Sequence, residues 1–393
     1  MNNLIGTIAL LSLSIPGYLV NLLILGKKRN GEVVALSWLT GSVIFTLTLF
    51  VFNYFLNIKL NLLSSGLVFL GLIFVALPFA YKKISIDKSI FKPSFFWILI
   101  PVFITSLFFP VVDWDAVTLF DFRGRILLDN GLIKDTLMMV PYTGYPMYTS
   151  LLHFWTYLTG LWTAMPIYPL FSLSLAMGVY LAAKRLFSQT VSICVALASL
   201  FAPKIFESSF IAYTNLPYTV FLVLGAIYIY LWVRERNWRD LIIGVILSVA
   251  SFWVRSFPFA IVNFALILLA FPFFRKYSKV LAGLSAVALI GCYFIPTIYP
   301  VADYIKWAVY GYYTPYWIIF MALFIYNFVT NNKDWFWALL YVGYGLMLII
   351  GTYHFYNINP GYYLGIPDAI RRMTMFVNPI VIFYAATSLA RKK

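Results

Sequence analysis

Apolar runs long enough to cross a bilayer recur along the whole of this sequence, and nothing constrains its fold more. A helix needs roughly 17–25 apolar residues to span the hydrocarbon. Thirteen stretches approach that length: 3–25, 33–57, 62–81, 93–112, 167–183, 187–205, 217–233, 240–254, 257–274, 280–300, 314–330, 335–352 and 373–390. Between them lie few charges, 28 basic and 13 acidic residues in 393, or 10% against 63% hydrophobic. A soluble domain carries about 25% charge, so this chain lacks the polar residues to cover a core in water. A soluble enzyme, a secreted scaffold and a disordered tail are excluded. Runs of helix length, without short alternating strands, predict an all-α polytopic membrane protein of about 13 transmembrane helices and exclude an outer-membrane barrel. Cys194 and Cys292 both sit inside apolar runs and suggest no disulfide framework. The first residues, MNNLIGTIALLSLSIPGYLV, have no basic leader and no clear cleavage site, so they are expected to stay as a membrane helix.

The net charge of +15 would point to nucleic acid in a soluble protein, but its placement gives another reading. With Lys27, Lys28 and Arg29 in the cytoplasm and alternating crossings, 19 of the 28 basic residues and five of the 13 acids fall inside. That asymmetry is the positive-inside rule at work, and no nucleic-acid partner is needed. The count holds only if 146–160 (PMYTSLLHFWTYLTG) does not cross; its Tyr, Trp and His suit an interfacial or re-entrant helix. The outer face then carries one long loop, 113–166, and shorter ones near 206–216, 301–313 and 353–372.

The outer face also collects mixed charges: Asp113, Asp115, Asp121, Arg123, Arg125, Asp129, Lys134, Asp135, Lys204, Glu207, Arg255, Asp303, Lys306, Asp368, Arg371 and Arg372. Such a mixture serves a phosphate-bearing substrate and a carboxylate base, and it is equally what solvated loops look like. The densest segment is PVVDWDAVTLFDFRGRILLDNG, residues 110–131. Asp113 and Asp115 flank Trp114, an interface anchor, just beyond a span. Either acid could take a proton from an attacking hydroxyl, or simply cap the helix that follows. Arg123 and Arg125 are about 200° apart on a helix and cannot point at one group. His153 reads as a packing or interface residue. Asp113-Trp114-Asp115 also has the form of a metal-binding Asp-x-Asp pair, but a divalent ion is not required and no metal residue is assigned.

The pattern Trp114-Asp115-Ala116, then Arg123, Arg125 and Gly131, resembles the first outer loop of GT-C membrane glycosyltransferases. It is most similar to the bacterial and archaeal branch related to protein mannosyltransferases and aminoarabinose transferases. Tyr145-Pro146 with the apolar 147–160, Lys184-Arg185-Leu186-Phe187, Tyr213-Thr214-Asn215-Leu216-Pro217, and Arg371-Arg372-Met373 with Pro379 resemble further motifs of that family in order. The likeness covers roughly 93–390, so 1–92 would be three extra N-terminal helices ahead of a GT-C-like module, 93–393. It implies inverting transfer of a sugar from a polyprenyl-phosphate donor to an acceptor hydroxyl, on the outer face of a prokaryotic plasma (inner) membrane.

The resemblance makes Asp115 the general base, with Asp113 assisting or replacing it. Arg371 and Arg372 are the first choice for the donor phosphate and Arg255 the second. Arg123, Tyr145 and Asn215 are expected to bind substrate, and His354, in an aromatic stretch, to form a sugar-stacking wall. Asn215 departs from the family, which commonly has Asp there, and this weakens any metal-bridging scheme. The acceptor would be a lipid, a glycan or a protein. Two other classes fit the composition: a lipid or glycan transporter or flippase, which would show internal repeats and mid-membrane charges, and a non-catalytic GT-C relative.

Overall fold

The computed structural model describes residues 2–84, 94–139, 144–256, 259–295, 314–330, 334–358, 372 and 374–389. No strand occurs among the described residues. The helices are α1 (Asn2–Ser12), α2 (Ser14–Leu25), α3 (Asn30–Tyr54), α4 (Leu62–Ala80), α5 (Ser94–Ser106), α6 (Phe122–Asn130), α7 (Ile133–Met138), α8 (Tyr148–Leu158) and α9 (Ile167–Lys184). They continue with α10 (Gln189–Leu200), α11 (Asn215–Glu235), α12 (Trp238–Val254), α13 (Ala260–Ala265), α14 (Pro272–Lys276), α15 (Ser278–Gly291), α16 (Thr314–Val329), α17 (Phe336–Ile358) and α18 (Val377–Leu389).

Each apolar run contains helix, yet length separates them. Six stretches are long and apolar enough to cross a membrane: Asn3–Leu25, Lys27–Tyr54, Leu62–Lys83, Ile167–Lys184, Asn215–Glu235 and Phe336–Tyr353. The chain is therefore an all-helical protein with several helices fit for a bilayer, and a total of thirteen crossings is a proposal. α4 turns Leu63, Phe74, Val75 and Phe79 outward, more than two-thirds of each exposed, as a helix against lipid would. The 146–160 stretch forms α8, whose 11 residues rise about 16 Å, half of what a crossing needs.

The chain forms two compact units. The first comprises Met1–Ala182, Ile205–Phe221 and Val249–Ser256. In it the N-terminal helices make the seat of the 113–166 loop. The Trp38 indole donates to the Leu10 carbonyl (3.1 Å) and that of Trp155, on α8, to the Ala9 carbonyl (3.3 Å). The Ser42 and Tyr148 hydroxyls pair at 2.8 Å, and Phe45 meets the edge of Trp155 at 4.8 Å. The loop is closed at its base, where Trp162 donates to the Leu107 carbonyl (2.8 Å) and Thr163 to that of Phe109 (2.7 Å). It is pinned again at the end of α6. There the buried Asn53 donates to the Gly131 carbonyl (2.8 Å) and accepts from the Ile133 amide (2.7 Å), while the Leu60 amide also reaches Gly131 (2.8 Å). Gly131 has φ +72°, the left-handed geometry that ends a helix at little cost for glycine alone.

The second unit comprises Ala183–Lys204, Leu222–Ser248 and Phe257–Lys393. Several charged residues at its helix ends are paired within it. Arg185 forks onto Asp240, with both nitrogens at 2.8 Å, and also pairs with Glu235. Tyr230 donates to Asp334 (2.6 Å), and Arg236 to the Ala270 carbonyl. Deeper in, Asn263 donates to the Leu222 carbonyl (3.1 Å) and Ser248 (3.0 Å) and accepts from Tyr344. Such interhelical hydrogen bonds satisfy polar groups that lipid could not.

Candidate functional site in the 113–166 loop

The loop opens with a wide helical turn over Ala116–Asp121, in which the Phe122 amide reaches back five residues to the Val117 carbonyl. Single turns of this π type recur at functional sites. The extra residue rotates Asp121 inward, and the regular α6 that follows packs along α8. The close approach is at Gly124: a Cβ there would stand 2.8 Å from the His153 Cβ and 3.2 Å from both the Phe154 nitrogen and the Ser150 carbonyl oxygen.

Asp121, 4% exposed, is the hub. Its Oδ1 accepts from the Tyr157 hydroxyl and from His153 Nδ1 (3.1 Å), and its Oδ2 from Arg125 Nε (2.8 Å). His153, wholly buried, meets the Tyr168 hydroxyl through Nε2 at 2.9 Å. Both ring nitrogens are thus engaged, Nδ1 by the carboxylate and Nε2 by the Tyr168 hydroxyl. Arg125 also lies 4.4 Å over the Tyr157 ring. Burial alone would raise the Asp121 pKa, but the bond and charge of His153, with the bonds from Tyr157 and Arg125, outweigh it and hold the carboxyl at about 2. Burial is the main cause that pushes the Tyr157 phenol up, reinforced by the Asp121 charge.

Arg123 turns the opposite way, as its offset from Arg125 requires. It is fully buried, and Nη1 donates to the Tyr145 carbonyl at 3.0 Å. Nε and Nη2 have no hydrogen-bond partner among the described residues. Burial pushes its pKa down, with Tyr145 opposing. Arg255 approaches the same residue from the end of α12, its guanidinium 5.4 Å from the Tyr145 ring centre. Ser256 donates to the Gly144 carbonyl at 3.3 Å. Arg123, Tyr145 and Arg255 thus form one cluster.

Asp113 and Asp115 are half-buried at the entry to the wide turn, on either side of Trp114, which is 78% exposed. The Asp113 carbonyl accepts from the Val117 amide (2.9 Å), and the Asp115 side chain makes no capping bond to the turn. Asn215 is buried at the first position of α11. Arg372 belongs to the second unit and is half-buried. Arg371, Asp303, Lys306 and Asp368 lie outside the described residues, as does the side chain of His354, whose backbone is in α17. Among the described residues no three His, Cys, Asp or Glu side chains converge as a metal site would need.

No family model, curated protein or solved structure matches the chain. What the loop does has to come from its chemistry. Sequence reasoning found Arg123, Tyr145 and Arg255 but not that they meet. It missed the Asp121 hub, although a signal was there: Asp121 and Arg125 are four apart, and so are His153 and Tyr157, the spacing that puts pairs on one helix face.

Proposed function

We propose that this protein is a GT-C-type glycosyltransferase of a prokaryotic plasma membrane, crossing it about thirteen times, with its active site in the outward-facing 113–166 loop. The donor is a sugar linked to a polyprenyl phosphate, and the acceptor is a hydroxyl of a lipid, glycan or protein. The acceptor oxygen attacks C1 of the sugar from the face opposite the phosphate. The C1–O bond breaks with its electron pair leaving on the phosphate oxygen, so configuration inverts and polyprenyl phosphate is released. Asp115 takes the hydroxyl proton as it attacks, and Asp113 assists. General-base help of this kind is worth about 10²–10⁴-fold, and stabilisation of the departing phosphate supplies a further part.

The observation that carries this reading is the pairing, in one helical run, of a half-buried Asp115 that makes no capping bond to its own turn with a buried guanidinium eight residues on. Eight residues rise about 12 Å, a separation suited to a sugar with an acceptor hydroxyl on one side and a phosphate on the other. Arg255, beside Arg123 through Tyr145, adds a second cation for the donor. Wild type and Asp115→Asn protein would be compared with short-chain polyprenyl-phosphate sugars. Transfer by the wild type, lost in the variant while donor binding persists, is expected. A fully active Asp115→Asn variant would remove Asp115 as the base, and a well-folded wild type that turns over no such donor would remove the function.

A further inference from the structure

We propose that Arg123, Arg255 and the first turn of α8 form a binding site for a phosphate group. Arg123 is wholly buried, and its Nε and Nη2 hydrogens meet no acceptor among the described residues. A buried guanidinium is costly unless its charge and its donors are matched. The Asp121 carboxylate, on the other side of the helix, is engaged by His153, Tyr157 and Arg125. With no acceptor among the described residues, the Arg123 Nε and Nη2 donors suit an anion able to take two parallel N–H groups, as a phosphate does.

The surroundings are built for such a group. The Nη1 bond to the Tyr145 carbonyl fixes the guanidinium three residues before α8 begins. The amides of Tyr148, Thr149 and Ser150 are the first three of that 11-residue helix and have no carbonyl one turn back within it. Their dipole favours an anion there. The Thr149 and Ser150 hydroxyls, in the same turn, are also buried without a hydrogen-bond partner. Arg255, stacked near the Tyr145 ring, brings a second positive charge. Arginine fork, helix end and two hydroxyls of one turn are all donors that an oxyanion could use.

A phosphate could arrive on a lipid or free in water. The preceding subsection supplies only the preference for the lipid form, and the site itself stands on the unmatched donors. Thermal unfolding of the purified full chain, and isothermal titration, would be followed with three probes: short-chain polyprenyl phosphate without sugar, the neutral polyprenol, and inorganic phosphate. Binding of polyprenyl phosphate but not of the polyprenol is expected. Affinity should fall about 10–100-fold in Arg123→Gln and in part in Arg123→Lys, whose single ammonium cannot fork.

Because Arg123 is buried, Arg255→Gln and the Thr149→Val/Ser150→Ala double variant act as independent probes, each expected to weaken binding severalfold with the unfolding transition retained. Binding of inorganic phosphate alone, lost in the same variants, upholds the site and assigns it to a soluble phosphate. Polyprenyl phosphate that binds equally to wild type, Arg255→Gln and the hydroxyl double variant overturns the site, as does a folded wild type that binds neither phosphate probe. Sugar transfer with an unchanged donor KM in Arg255→Gln and in the double variant would sink the site and leave the transferase standing. Arg123-dependent binding with no transfer from any sugar donor would do the reverse.

Discussion

Asp121→Ala is the most informative single change in the loop. The carboxylate satisfies two donors that cannot turn to water, the wholly buried His153 Nδ1 and the Tyr157 hydroxyl, plus Arg125 Nε, whose side chain is 55% exposed. Each orphaned buried donor costs about 1–3 kcal/mol, while the half-exposed ion pair adds about 0–1 kcal/mol. Linkage gives an independent figure. A carboxyl held at about 2 instead of 3.8 contributes about 2 kcal/mol at neutral pH. The first route gives about 2–7 kcal/mol and the second matches its lower end, so Asp121→Ala should lose at least about 2 kcal/mol, and Asp121→Asn, which keeps one acceptor oxygen, less. Since the folded pKa is depressed, the contribution is whole above the ordinary carboxylate pKa of about 4 and is lost as pH falls through about 2. Wild-type stability should therefore decline between pH 4 and pH 2 by more than that of Asp121→Asn, measured as thermal midpoints in detergent. If Asp121→Ala melts where the wild type does and the two acid profiles coincide, the carboxylate is not the hub of a buried network and the reasoning fails.

Asn53→Ala should cost about 2–4 kcal/mol, because it leaves the Ile133 amide without its side-chain acceptor and takes a donor from the Gly131 carbonyl. Limited proteolysis should then cut near 131–139 far faster than in the wild type. Gly124→Ala gains about 1 kcal/mol of helix propensity but drives a methyl to 2.8 Å from the His153 Cβ and 3.2 Å from α8 backbone. Overpacking of about 1–3 kcal/mol should prevail, with a lower melting midpoint. Arg185→Ala removes the forked ion pair of the fully buried Asp240 and should destabilise by about 3–5 kcal/mol, whereas Glu235→Ala, on the more exposed partner of the same arginine, should shift the midpoint little.

Helices were legible wherever an apolar run reached helix length, because in a chain this poor in charge the apolar pattern and the fold are nearly the same information. The charge bookkeeping set 146–160 apart from the spans, and the stretch forms a helix of only 11 residues. Its surroundings were not legible. Tyr, Trp and His suggested an interface, yet α8 is buried along almost its whole length, because α1 and α3 cover one side of it and α6 another. Nothing in a local window says that residues 9, 42 and 45 will come to lie on residues 148–155. The two arginines illustrate the same divide. Helical spacing alone separated Arg123 from Arg125, but which one is buried depends on Gly124 drawing α6 onto α8.

The same two residues divide the loop into a closed half and an open one. Arg125 closes a network in which its charge and the donors of His153 and Tyr157 all find the Asp121 carboxylate, so that half of the loop is electrostatically complete and fixes α6 against α8. Arg123, two residues away on the other side of the same helix, is held in place by that closed network and by one backbone carbonyl, with its remaining donors unmatched. A site gains selectivity when its donors are pre-positioned and their alternative partners are already taken. Because the Asp121 network ties α6, which carries Arg123, to α8, loss of Asp121 should damage ligand affinity as well as the fold.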